Sequence, residues 1–392
     1  MLKEHYSKFF EFNPSRLHFA AHSHHPWPDV TFDAQKQYWL DSMKYVDLKW
    51  SYIFSEIVPT AQEHISRWIG STHPGQICFA PNTHEFVQRL LSCVPIKETV
   101  RVLSTDSEFH SFSRQMRRLE EDDLVSLVRV PAEPFHSFED RFVEEMLSTD
   151  EPYDLIFISH VLFNSGYVVQ DVDKIVAQAR EHSPEALIVV DGYHSFGAFP
   201  VDIAAYEDEA FYLGGGYKYA QSGEGMCFLH VPKGCRLRPR NTGWFADFRG
   251  LEQNEHLGCV GYDDSGMRFF GATFDVSGLY RWNAVASLYR EQKVTLKDVS
   301  QHVKNLQGFF LEALRHQNRF MLGSEDVLMH SLGRQGNFLT FRLVKAKLVT
   351  ERLLQKDVIV DFRGRNLRIG FGVYHDEDDI EQLLERLSEI RD

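Results

Sequence analysis

One lysine in this chain of 392 residues sits where backbone can crowd a bound molecule. Lys218 follows an apolar run and a glycine triplet in Tyr212-Leu-Gly-Gly-Gly-Tyr217-Lys218-Tyr-Ala-Gln-Ser222-Gly223-Glu-Gly225. Glycines allow close approach of main chain to a ligand, and a desolvated lysine loses its proton readily and attacks carbonyl carbon. The turn is not a P-loop, because Tyr219 rather than Ser or Thr follows the lysine. An earlier apolar run ends in an acid and a polar turn: Leu187-Ile-Val-Val-Asp191-Gly-Tyr-His194-Ser-Phe-Gly197. Taken singly, such an Asp is often a cap or turn residue, and such a lysine a solvated one. Taken together they say more, since ligands of open α/β sheets lie beyond the carboxyl ends of the strands. An acid and a lysine on successive strand ends, with His194 and Tyr217 beside them, are the parts pyridoxal 5′-phosphate (PLP) needs. The acid keeps its pyridine nitrogen protonated and the amine forms a Schiff base with its aldehyde.

These two segments resemble the kynureninase branch of the class V aminotransferase family, whose members have the PLP-dependent transferase fold type I. Other branches usually carry Gln at the place of His194 and His at that of Tyr217. The resemblance implies Lys218 as the Schiff-base lysine, Asp191 at the pyridine nitrogen, Tyr217 as a phosphate ligand and proton donor, and His194 near the cofactor's 3′-oxygen. It extends to Asn82-Thr83-His84-Glu85, similar to a helix start that receives the phosphate, so Thr83 and His84 are cofactor candidates. In Ser107-Glu108-Phe109-His110-Ser111 it makes Phe109 the ring that stacks on the pyridine, with Asp106 a second choice for this site. Ser159-His-Val-Leu-Phe-Asn164-Ser165-Gly166 matches a loop at the same strand-end level. Trp244, in Thr242-Gly243-Trp244-Phe245, and the Ser277-Gly278 loop would reach the phosphate of a neighbouring subunit, which implies a homodimer. Arg368, in Asn366-Leu-Arg368-Ile-Gly-Phe, would grip the substrate's α-carboxylate, for which a guanidinium fork is suited.

The implied reaction is hydrolysis of the Cβ–Cγ bond of a kynurenine-type amino acid to alanine and an aromatic acid. A class V aminotransferase or another PLP-dependent β-lyase is the alternative. The departures bear on the substrate: Phe245 stands where the family has a second Trp, Gly278 where kynureninases commonly place Asn, and Arg16-Leu-His-Phe-Ala-Ala-His22-Ser-His24-His25-Pro-Trp27 where they have Gly-Asn-Ser-Leu-Gly. The His22, His24 and His25 cluster has no matching Asp, Glu or Cys pattern, so surface or substrate-facing histidines are expected there and no metal. A desulfurase would carry a reactive cysteine well beyond the lysine, and none follows Cys259.

Holding these groups together requires an α/β fold: a large domain with a mostly parallel sheet flanked by helices, and a small C-terminal α+β domain. Short apolar runs alternate with helical periodicity from about 55 to 230, and strands are expected at 76–80, 100–103, 154–159, 187–190, 210–213 and 226–230. A loop-like stretch follows Pro232, and 254–271 is rich in Gly, Asp and His. Two helices from about 280, strands at 337–344, 358–361 and 366–371, and a closing helix bearing Ile380, Leu383, Leu384 and Leu387 complete the pattern. The expected division is an N-terminal arm 1–30, a PLP-binding domain 31–279 and a small domain 280–392. Hydrophobic residues make up 43% and charged residues 25%, the balance of a globular protein. A net charge of −14 argues against nucleic acid and anionic lipid as partners, leaving a small amino acid. The five scattered cysteines indicate neither disulfides nor zinc, and with no apolar leader at the N-terminus or membrane-length run a cytoplasmic location is expected.

Overall fold

The computed structural model describes residues 1–94, 99–248, 250, 258–316 and 321–390. Twelve strands occur among them, numbered here in chain order. They are β1 (Leu17–His18), β2 (Ile77–Ala80), β3 (Val100–Thr105), β4 (Val125–Val130), β5 (Leu155–Ser159), β6 (Leu187–Asp191), β7 (Phe211–Gly215), β8 (Cys227–His230), β9 (Phe338–Arg342), β10 (Val358–Ile359), β11 (Asp361–Arg363) and β12 (Asn366–Gly370).

Seven of them form the central sheet in the order β2-β8-β7-β6-β5-β3-β4, with β8 alone running against the rest. Leu187, Ile188, Val189 and Val190 of β6 are all buried, as parallel strands covered by helices on both faces require. The large core built on this sheet takes in Val102, Ile156, Val189, Leu213 and Phe228, and also Leu279 and Trp282 of the helix Ser277–Glu291. That helix packs along the helix Val30–Tyr45. A second core joins Phe310 of the helix Leu296–Arg315 to Leu339, Phe341, Leu367 and Leu383, over the antiparallel sheet β11-β12-β9. Caps fix the helix entrances: Asn82 Oδ1 accepts the Glu85 N–H at 3.0 Å ahead of the helix Thr83–Leu91, and Thr295/Asp298 and Asp376/Asp379 form capping boxes.

The six strands expected in the large domain lie within a residue or two of those observed. β4 has no counterpart among them, because it is an edge strand in which Ser126 and Arg129 interrupt the apolar run. The run 358–361 is divided: β10 pairs in parallel with β1 of the N-terminal segment, and β11 turns back antiparallel on β12. Residues 254–257 of the Gly- and Asp-rich stretch lie outside the described residues. Among those described, no helix is long and apolar enough to cross a membrane.

Candidate active site

The site lies where the ends of the parallel strands meet the start of β8. Register places Ser159 opposite Asp191 and Asp191 opposite Leu213, while Cys227, the first residue of β8, faces Gly215 on one side and Ala80 on the other. The turns leaving these ends converge. Thr83, Phe109, Ser159, Val161, Phe163, Asp191, Tyr193, His194, Tyr217 and Lys218 line one cavity.

Lys218 is buried, and its Nζ lies 2.7 Å from His194 Nε2, 4.6 Å from the Tyr193 ring centre and 5.3 Å from that of Phe109. Burial, opposed by the charge of Asp191 and helped by that of Arg368, brings its pKa down to about 7. The same burial drives His194 well below its ordinary value, with Lys218 and Arg368 adding to the effect, so the imidazole is neutral. Burial also raises the Asp191 carboxyl, against the Tyr193 N–H that donates to its Oδ1 at 2.9 Å and the charge of Lys218. Tyr217 is pushed up to about 12, chiefly by burial, and keeps its proton at neutral pH. The turn has the conformational demands its glycines predicted: Gly223 and Gly225 have φ of +69° and +86°, and a Cβ on Gly223 would strike the Trp27 ring.

These groups fit PLP. The cavity offers a lysine whose uncharged, nucleophilic form is abundant near pH 7 and an acid one strand away. His194 Nδ1 is buried there without a partner in the protein. The profile of the aminotransferase class-V family matches residues 25–383. The chain belongs to that family. Its fold is the family's PLP-dependent fold type I, and its cofactor is PLP. The cystine C–S lyase C-DES, in a variant with glycine covalently linked to its PLP cofactor, is similar over 98% of this chain and 99% of its own, at 17% identity and TM-score 0.82. A cysteine desulfurase from Thermococcus onnurineus NA1 gives 98%, 97%, 16% and 0.77, and the cysteine desulfurase CsdA from Escherichia coli 98%, 96%, 13% and 0.80. No curated protein matches the sequence significantly.

For a class-V enzyme the placement of the remaining expected residues is informative. His84 is exposed and faces an outer cavity instead of the inner one. Asp106 lines that outer cavity too, and its Oδ1 accepts from Ser107 Oγ and the Ala132 N–H, which makes it a turn residue with no ring to stack. Trp244 is 42% exposed and donates to Thr273 Oγ1 at 3.3 Å, and Ser277 is buried against Asp275 and Arg281, so neither faces this chain's own inner cavity.

Arg368 is buried behind Phe163. Its Nε donates to Asp361 Oδ1 at 2.8 Å, its Nη2 to Asp361 Oδ2, and its Nη1 to the Phe163 carbonyl at 2.6 Å. One N–H on each terminal nitrogen is left for a carboxylate. Asp361 also accepts from His22 Nε2 at 2.9 Å; burial would raise its carboxyl, but the hydrogen bonds from His22 and Arg368 and the charge of the guanidinium hold it well below the usual range. The three clustered histidines therefore part company: His22 serves Asp361, His25 Nδ1 donates to the Pro26 carbonyl, and His24 stacks on Tyr217 at 5.0 Å.

Sequence reasoning missed Asp361, and it quoted Tyr193, Val161 and Phe163 inside matching segments without giving them a role. It quoted Glu108 and Ser159 only as parts of matching segments. Ser159 Oγ donates to Glu108 Oε2 and its N–H to Oε1 at 3.2 Å, with Thr105 Oγ1 at 2.8 Å, and burial still raises this carboxyl to about 7. A glutamate one residue before an expected cofactor ring was the available signal.

Proposed function

We propose that this PLP-dependent class-V enzyme is a lyase that breaks a bond at Cβ of an α-amino acid. The observation that carries the reading is the 2.7 Å contact between Lys218 Nζ and His194 Nε2, an amine held near a pKa of about 7 against a neutral imidazole at the strand ends. Bound PLP supplies an electron sink for charge developing at Cα. Lys218 is the amine that tethers it, and once the substrate's own amine takes that place Lys218 is free to remove the Cα proton. Asp191 would hold a proton on the pyridine nitrogen, and Thr83 and Tyr217 would receive the phosphate. Phe109 would cover the ring, and Arg368 would draw the α-carboxylate through its two remaining N–H groups. Release of the Cβ substituent needs a proton donor, and Tyr217 retains its proton at neutral pH.

No cysteine lines the cavity among the described residues. Cys227 lies nearest in the fold, but burial pushes its thiol up to about 12 and it is hydrogen-bonded to Tyr193. That favours a lyase working without a protein thiol over one that passes sulfur to its own cysteine. A second reading, hydrolysis of a β-acylalanine of the kynurenine type, is favoured by the same Tyr217: water would add to the γ-carbonyl, the acyl group would leave as the carboxylic acid, and Tyr217 could protonate the Cβ that keeps the electron pair, giving alanine. The test is to incubate the PLP-loaded protein with L-cystine, L-cysteine, L-kynurenine and 3-hydroxykynurenine, and separately with an amino donor plus an α-keto acid. Pyruvate and ammonia, or a persulfide, support the lyase; alanine plus an aromatic acid supports the hydrolase; rapid amino transfer with neither overturns both.

A further inference from the structure

Outside the inner cavity lies an open one of about 1040 Å³, and Phe163 lines both. Its walls carry Arg114, Arg117, Arg118, Arg363, His84 and His110, facing only Asp106, Glu108 and Glu121. This is a local reversal of charge in a chain with 42 Lys and Arg against 56 Asp and Glu. The acids are also already engaged. Glu108 is buried and holds Ser159 and Thr105, Asp106 closes its own turn, and Glu121 lies 3.4 Å from Arg118, which is paired with Asp122 at 2.7 Å as well. Arg114 and Arg117 have no ion-pair partner among the described residues. Both stand on the helix His110–Glu120, Arg114 four residues after His110 and Arg117 three after Arg114, so the three share one helical face. Arg363, at the opposite wall, lies 3.5 Å from an Asp361 oxygen that Arg368 already occupies. The positive field reaches His110, whose pKa is lowered by burial first and then by Arg363, Arg368 and Arg117.

We infer that this outer cavity is the substrate's side-chain site, and that it selects amino acids whose side chain ends in an anion, carboxylate or phosphate, held by Arg114 and Arg117 with Arg363 opposite. The inference rests on the lyase reading for where Cα sits, but not on which bond breaks. A fixed α-carboxylate at Arg368 and a reacting Cβ at Lys218 leave the far end of the side chain passing Phe163 into a basic space. Such a space is large enough for a ligand well beyond the size of a simple amino acid. Its arginines are suited to bidentate capture of planar or tetrahedral oxyanions.

The experiment is calorimetric titration of the PLP-loaded protein with matched pairs: L-glutamate against L-glutamine, L-2-aminoadipate against its amide, and O-phospho-L-tyrosine against L-tyrosine. At least one acidic member should bind ten-fold or more tightly than its neutral partner, with a preference that shrinks as salt rises. The carboxylate and phosphate arms tell the two anions apart. Arg114→Gln/Arg117→Gln should erase the preference while leaving the neutral partner's affinity as it was, and Arg118→Gln, already neutralised by Glu121 and Asp122, should change it little. Equal binding of each pair by the wild type overturns the inference, as does a double variant that keeps the preference or loses it only through dissociation of the cofactor. If neutral amino acids are cleaved at Cβ with no acid preference, the inference falls and the lyase reading stands. If acids bind preferentially but no Cβ bond breaks, the reverse holds.

Discussion

Two buried ionisable side chains set how the site responds to pH. Lys218 titrates near 7 because burial outweighs the pull of Asp191, so its uncharged form is abundant where an ordinary lysine's is rare. Lys218→Ala should therefore abolish a borohydride-reducible attachment of PLP, with peptide mapping of the wild type placing the label on residue 218 alone. Asp191→Asn should keep the fold and the bound cofactor yet lower turnover by about two to three powers of ten, the scale of losing one aimed electrostatic partner; near-normal rates would remove Asp191 from its role. Glu108 behaves in the opposite sense to a surface glutamate. Its carboxyl is raised to about 7 from 4.5, so between those values the folded protein retains a proton the unfolded chain has lost. Its contribution is fully present below 4.5 and disappears as pH rises through 7. Glu108→Gln should consequently gain on the wild type as pH climbs from 4 to 8, by up to ~3 kcal/mol on the scale of 1.36 kcal/mol per pKa unit. Urea melts across that range would measure it, and parallel curves would refute it.

At the scale of elements, β11 and β12 deliver a charge pair through register. Asp361 faces Arg368 directly across the antiparallel ladder, so the strand pairing that builds the small sheet also neutralises the arginine beside the lysine. Asp361→Asn should cost about 3 kcal/mol of stability, since it leaves a buried guanidinium without its counter-charge. It should also raise KM for any α-amino acid. And because Asp361 helps to raise the Lys218 pKa, the variant should move the pH midpoint of PLP attachment downward, a shift that lost packing alone would not produce. This pair was hard to read from the chain. Asp361 closed an expected strand at 358–361 as an ordinary end residue, and nothing in its spacing announced that the strand would break there and fold back on Arg368. The helices and strands around Asp191 and Lys218 were legible because buried parallel strands leave unbroken apolar runs that stop at the ligand's edge. Tyr193, Val161 and Phe163 were not, because they sit in the turns beyond those runs, where no periodicity marks the side facing the cavity. β4 hid for a related reason, its solvent-facing edge having diluted the pattern with Ser126 and Arg129.

The molecule as a whole exposes a face that its own core does not use. Phe32, Trp39 and Met43 stand out from the helix Val30–Tyr45 at 62%, 64% and 59% exposure, Val46 and Leu48 follow them, and Trp244 is turned away from its own inner cavity. An apolar face of this kind in a class-V enzyme is expected to close on a second copy through a two-fold axis. Light scattering should give a dimer, and Trp39→Glu should shift it towards monomer with loss of activity; a fully active wild-type monomer would rule this out. The two ends of the chain also meet. Leu17–His18 pairs with Val358–Ile359, the Phe19 N–H donates to the Ile359 carbonyl at 2.8 Å, and Ala20 bridges Gly370. The segment that follows, His22 to Trp27, supports Asp361, stacks on Tyr217 and packs against Gly223. During synthesis, then, residues 17–20 have no partner strands until residues 358–370 have been made. The central sheet can form early, but the wall over Tyr217 and the arginine behind Phe163 arrive together at the end. Nascent chains stalled at residue 350 should leave residues 1–25 open to protease, and chains extended through residue 390 should protect them in the same step that makes the cofactor pocket competent.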